Sequence, residues 1–148
     1  MNLQTRLNSF FLLKDRLLDG NNTGLIQAKM NAYHQNSWFL PAFIDKAIDQ
    51  IAHQFLTQES LRNWVAEYPQ IADKMTHKKV GIVMAGNIPL VGFHDLLCTL
   101  VAGHTAIVKL SSKDTVGMEY LIATLNEIEP QWKHHIIVQS QLKDADAY

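Results

Sequence analysis

The hydrophobic period of this sequence changes once, near residue 77, and that change limits the folds open to it. Before it, apolar residues recur at three- and four-residue steps, the spacing of one helix face. Leu3, Leu7, Phe10, Phe11, Leu17 and Leu18 form the first stripe, which the turn-rich Asp19-Gly20-Asn21-Asn22 interrupts. A second stretch over 23–34 carries Leu25, Ile26, Ala28, Met30 and Tyr33. The third stripe runs through Phe43, Ile44, Ala47, Ile48, Ile51, Ala52 and Phe55, with Pro41 suited to its first turn. Thr57 reads as the N-cap of a fourth helix with Leu61, Trp64, Val65 and Tyr68 inward, ended by Pro69.

After His77, short continuous apolar runs replace the stripes, at 80–84, 106–110 and 136–138. Runs of this kind are strands buried on both faces. Helical patterns at 89–101 and 115–128 separate them, the second with Leu121, Leu125 and Ile128 inward. Strand, helix, strand, helix, strand requires parallel pairing with right-handed crossovers. The expected fold is α/β. A helical section over 1–77 precedes a parallel βαβαβ unit over 78–148, half of a dinucleotide-binding-type sheet.

Composition narrows the class further. The chain has 148 residues, 47% of them hydrophobic, and a formal net charge of -1, which excludes disorder and argues against a nucleic-acid partner. A single cysteine excludes a disulfide framework and a cysteine-rich zinc site. No apolar run reaches the roughly 18 residues of a transmembrane segment. MNLQTRLNSFFLLKDRLLDG has the look of a signal peptide, but Lys14, Asp15 and Arg16 interrupt it and no small-residue cleavage site follows. A cytoplasmic protein is expected.

The chemistry concentrates in residues 80–114. The first strand ends at Ala85-Gly86-Asn87-Ile88-Pro89, and ligands of open parallel sheets bind beyond the carboxyl ends of the strands. Gly86 allows a sharp turn or a close approach. Asn87 either caps the following helix or donates to an oxyanion. Lys109 ends the second strand, before Ser111, Ser112 and Lys113. It is either a solvated strand-exit lysine or a ligand for a ribose hydroxyl or phosphate. Neither G-x-G-x-x-G nor a Walker sequence is present. Cys98 lies mid-helix among Leu96, Leu97, Leu100 and Val101 and reads as a small buried hydrophobe. His94 and Cys98, one turn apart, make a weak metal signal, so no metal site is assigned. His134-His135 should point to opposite faces. His77-Lys78-Lys79 reads as a solvated run.

AGNIPLVGFHDLLCTLVAGHTAIVKLSSKD is similar to acyl-CoA reductases of the LuxC type, in the aldehyde dehydrogenase superfamily. The likeness is strong over 80–114 and weaker over 36–76, where Asn36-Ser37-Trp38-Phe39 also fits. The resemblance implies an aldehyde-dehydrogenase-type Rossmann-like sheet. It implies reduction of an acyl-CoA or acyl thioester to a fatty aldehyde with NADP(H), NAD(H) being possible. It implies that Asn87 is an oxyanion-hole donor. Ala85, Gly86, Lys109, Ser111, Ser112 and Lys113 would bind the cofactor. Ser112 stands where the family has a glutamate. A carboxylate there repels a 2′-phosphate, whereas a serine accepts one and Lys113 adds positive charge. The family nucleophile is a downstream cysteine and not Cys98, so the chain is expected to be an inactive N-terminal piece. Asp144-Ala145-Asp146-Ala147-Tyr148 stops where the family enters its next core strand. An unpaired sheet edge there predicts a homo-oligomer. The alternative is a non-catalytic nucleotide-binding or protein-interaction module.

Overall fold

The structure, a computed structural model, describes residues 1–71 and 76–148; residues 72–75, within the stretch expected to form the helical section, lie outside the described residues. Four helices form where the stripes place them: α1 (Leu3–Leu18), α2 (Thr23–Gln35), α3 (Pro41–Gln50) and α4 (Gln58–Ala66). Side chains that accept otherwise unpaired N–H groups start three of them. Asn2 accepts from Thr5 at 2.8 Å, Asn22 from Leu25 at 3.1 Å and Thr57 from Ser60 at 3.0 Å.

The third stripe does not run as one α-helix. Ile51–Phe55 form a π turn, closed by the Leu56 N–H donating to Ile51 O at 3.1 Å. The wider turn carries Leu56 into the core, fully buried. Phe43, expected on the buried stripe, is 54% exposed. It precedes Ile44, and adjacent helical residues point about 100° apart. Tyr68, expected inward, is 44% exposed; it follows the end of α4 and packs on Trp64 with ring centroids 5.8 Å apart.

The three strands, β1 (Lys79–Val83), β2 (Thr105–Lys109) and β3 (Ile136–Val138), form a parallel sheet in the order β1-β2-β3. Val80 pairs with Ala106, Val83 with Lys109 and Ala106 with Ile136. The crossovers are α5 (Phe93–Val101) and α6 (Thr115–Ile128). Here the structure corrects one boundary. The helix expected from residue 89 begins at Phe93, and the segment before it folds as turns, with the Phe93 N–H on Leu90 O at 3.0 Å. The left-handed backbone at Leu90, φ 59°, interrupts any helix begun earlier, and Gly92 then passes close to the end of β1, where a Cβ would lie 2.6 Å from Met84 Cγ. The chain must clear the end of β1 before it can coil.

One core joins both sections. Ile82, Met84, Ala106, Val108 and Ile136 share a buried cluster with Leu7, Phe10, Leu13 and Leu17 of α1. Phe10 meets Phe93 of α5 edge-on at 6.5 Å and Trp132 at 5.8 Å, and all three are at most 1% exposed. One of the two sheet edges, the far edge of β1, is not left unpaired but is met by the chain's own last residues. The Gly81 N–H donates to Ala147 O at 2.8 Å and the Asp146 N–H to Lys79 O at 2.7 Å. Gly81 leaves room for this, since a Cβ there would lie 2.7 Å from the Tyr148 ring. No helix among the described residues is long and apolar enough to cross a membrane.

Phe10→Ala removes the side chain that couples α1 to both α5 and the Trp132 turn. The expected loss is about 3–5 kcal/mol, measured by urea unfolding of wild type and variant.

Candidate functional site

The loops leaving β1 and β2 meet the turn after α2 at the carboxyl end of the sheet. Between them lies an open cleft of about 450 Å³. Gln35, Asn36, Trp38 and Phe39 line one side; Gly86 and Asn87, with Ser112 and Lys113, line the other.

Gly86 is required where it stands. A Cβ there would collide with the Ser111 hydroxyl and lie 2.7 Å from Ser111 Cβ. This contact brings the two strand-exit loops together. Asn87, exposed at the cleft, precedes α5 by six positions and does not cap it; Gly92 occupies the cap position. Ala85 is exposed just before the cleft. Lys109 ends β2 exposed, its carbonyl accepting the Met84 N–H at 2.9 Å, and lies outside the cleft lining. Ser111 is spent on the turn: its hydroxyl accepts the Lys113 N–H at 3.3 Å and its carbonyl the Asp114 N–H at 3.1 Å.

Three residues of this site escaped the sequence reading of site roles. Asn36 bridges the helical section to the β2–α6 loop. Its Nδ2 donates to Lys113 O at 3.2 Å, while its Oδ1 accepts the Trp38 N–H at 3.2 Å. Trp38 is thereby displayed on the rim, 86% exposed, beside a Phe39 that is 2% exposed. The signal was the polar break Asn36-Ser37 before two aromatics. The third is Asp114. It holds the N-cap position of α6 without capping it. Instead its Oδ2 accepts the Leu90 N–H at 2.6 Å, with the residue 3% exposed. Burial raises its carboxyl to about 6, against the opposing pull of that N–H. An aspartate before Thr115 reads as an ordinary cap, and only the fold reveals Leu90 as its partner.

Among the described residues, the ionic group lining the cleft is Lys113, and none of them brings a carboxylate to it. Hydroxyl, amide and ammonium groups around an open cleft suit an anionic, phosphorylated ligand. Cys98 belongs elsewhere. It borders a separate hollow with Phe55, Trp64 and His94, its Sγ 3.8 Å from His94 Nε2. Burial, with Asp95 adding to it, pushes the thiol up and keeps it protonated. His77, Lys78 and Lys79 are exposed as expected, yet the His77 ring is engaged. Its ring nitrogens lie 2.9 Å from Gly103 O and 2.9 Å from Thr105 Oγ1. His135 Nδ1 approaches the same hydroxyl at 3.4 Å, while His134 is exposed. Among the described residues no three metal-ligating side chains converge.

The raised Asp114 carboxyl gives a pH dependence with a definite sign. The folded chain holds this proton more tightly than the unfolded one, so the contribution is most favourable below the ordinary value of 3.8 and declines as pH rises to about 6. Asp114→Asn keeps an acceptor oxygen and removes the charge. Its stability relative to wild type should rise by on the order of 1–3 kcal/mol between pH 4 and pH 7, read from thermal unfolding at both values.

Among curated proteins, none matches this chain. The family model described as acyl-CoA reductase (LuxC) matches residues 16–143, spanning α2 to α6, the three strands and both walls of the cleft. The chain therefore belongs to the LuxC acyl-CoA reductase family.

Proposed function

We propose that this chain is the N-terminal part of an NADP(H)-dependent reductase that converts a fatty acyl thioester to a fatty aldehyde. The observation that carries the reading is the single cleft that gathers Asn87, Ser112 and Lys113 at the carboxyl ends of parallel strands. The donor set fits the cofactor: a cleft with Ser112 and Lys113, and with no carboxylate among its described lining residues, suits a 2′-phosphate better than a lone diol. Lys109 and the Ala85-Gly86 backbone would hold the adenosine end, with Ser111 shaping the turn. When bound, the nicotinamide supplies hydride. Asn87 donates a hydrogen bond from its amide to the thioester oxygen as negative charge develops there. Cys98, half-buried and with its thiol pushed up rather than activated, does not serve as nucleophile; on this reading the nucleophile comes from residues beyond these 148, and the chain alone is inert. The sequence division at 77, a cytoplasmic location and self-association through the exposed sheet face around Val83, 67% exposed, complete the proposal.

Steady-state assays of the full-length reductase with a long-chain acyl-CoA test it. NADPH should support turnover in preference to NADH, and Asn87→Ala should lower kcat by about 10²–10³. Good turnover with NADH and poor turnover with NADPH would sink the cofactor assignment. For the 148-residue chain, calorimetry should find only weak NADPH binding, and light scattering should find a dimer or larger; micromolar affinity or a clean monomer would contradict the corresponding statement.

A further inference from the structure

Asp114 and Leu90 stand on the two strand-exit loops, 24 residues apart in sequence. Leu90 has φ 59°, in the left-handed region that a leucine rarely adopts. Such a backbone persists only where its surroundings hold it. Two features do so, and a third shows what Asp114 gives up for it. The Leu90 N–H, inside the structure, donates to the Asp114 carboxylate at 2.6 Å, the short distance of a charge-assisted bond. The Leu90 side chain, 6% exposed, packs over Gly117, where a Cβ would lie 2.7 Å from Leu90 Cδ2 and 3.0 Å from Asp114 Oδ1. And Asp114 forgoes the cap that an aspartate at this position ordinarily makes.

Other polar groups beside the joint are already engaged. Lys29 and Tyr120 border the same apolar hollow as Asp114. Lys29 is paired with Asp45 at 2.7 Å, and the Tyr120 hydroxyl accepts from Asn22 Nδ2 at 2.9 Å. Lys113 faces the cleft. The buried carboxylate is thus committed to one backbone N–H on the opposite loop.

We infer that Asp114 is a positioning residue: by holding Leu90 it sets where Asn87 stands relative to Ser112 and Lys113, and the two loops form one rigid wall of the cleft. The catalytic meaning of this joint rests on the reading of Asn87 as an oxyanion donor; the joint itself does not.

Proton–nitrogen NMR of the 148-residue chain, with no cofactor present, tests the joint. In wild type the Leu90 backbone amide and the Asn87 side-chain amide should shift together as pH passes through about 6. In D114N neither should titrate there, and exchange of the Leu90 amide should stay within about threefold of wild type, because an acceptor oxygen remains. In D114A that amide should exchange at least about tenfold faster while the Val108 amide of β2 keeps its protection. If D114A fails to fold, wild type and D114N still decide. An Asn87 amide that ignores the Asp114 titration, or one that titrates equally in D114N, overturns the inference. So does equal Leu90 exchange in all folded forms. A chain that shows the coupled titration in a full-length enzyme indifferent to NADPH would keep the joint and lose the cofactor reading.

Discussion

Parallel strands cannot be joined by tight turns, and this constraint organises the molecule. Each connection must cross a face of the sheet, so α5 and α6 lie between the strands in sequence, α5 directly against β1 and β2. Their outer surfaces are apolar too and need a further layer. α1 supplies it, packing on α5 and α6, with α2 on α6. Phe10 is the point where this layering closes, in contact with Phe93 and Trp132 at full burial. The helical section is therefore structural support for the sheet as well as a wall of the cleft.

The same constraint places the chemistry. Because the strands run parallel, both strand-exit loops emerge at one end, where Gly86 lets them touch. The helical section adds Asn36 and Trp38 from the opposite side. The joint at Asp114 comes at a cost: a buried carboxylate is less comfortable ionised than it is in water. Proteins tolerate such a cost where geometry matters, and here the geometry concerns the loop that carries Asn87.

The tail shows the same economy of packing. Residues 146 and 147 bond to β1 on the side away from β2, so the strand at which the chain reverses direction across the sheet has neighbours on both edges. In open α/β sheets such a reversal marks the ligand crevice, and the cleft beside Asn87 opens at the carboxyl end of this strand.

The amino-acid sequence by itself determined the period switch at 77, the three parallel strands, most of the helix starts and the segment around Asn87. These are local properties: side-chain periodicity and capping chemistry act over a few residues. Only the tertiary structure decided the rest. The late start of α5, the exposure of Phe43 and the π turn at Ile51–Phe55 follow from what each segment must clear or cover. The pairing of Asp114 with Leu90 and of Asn36 with Lys113 spans 24 and 77 residues. No local pattern encodes such partners, because each side chain had an ordinary local role available, and packing of the whole chain chose between them.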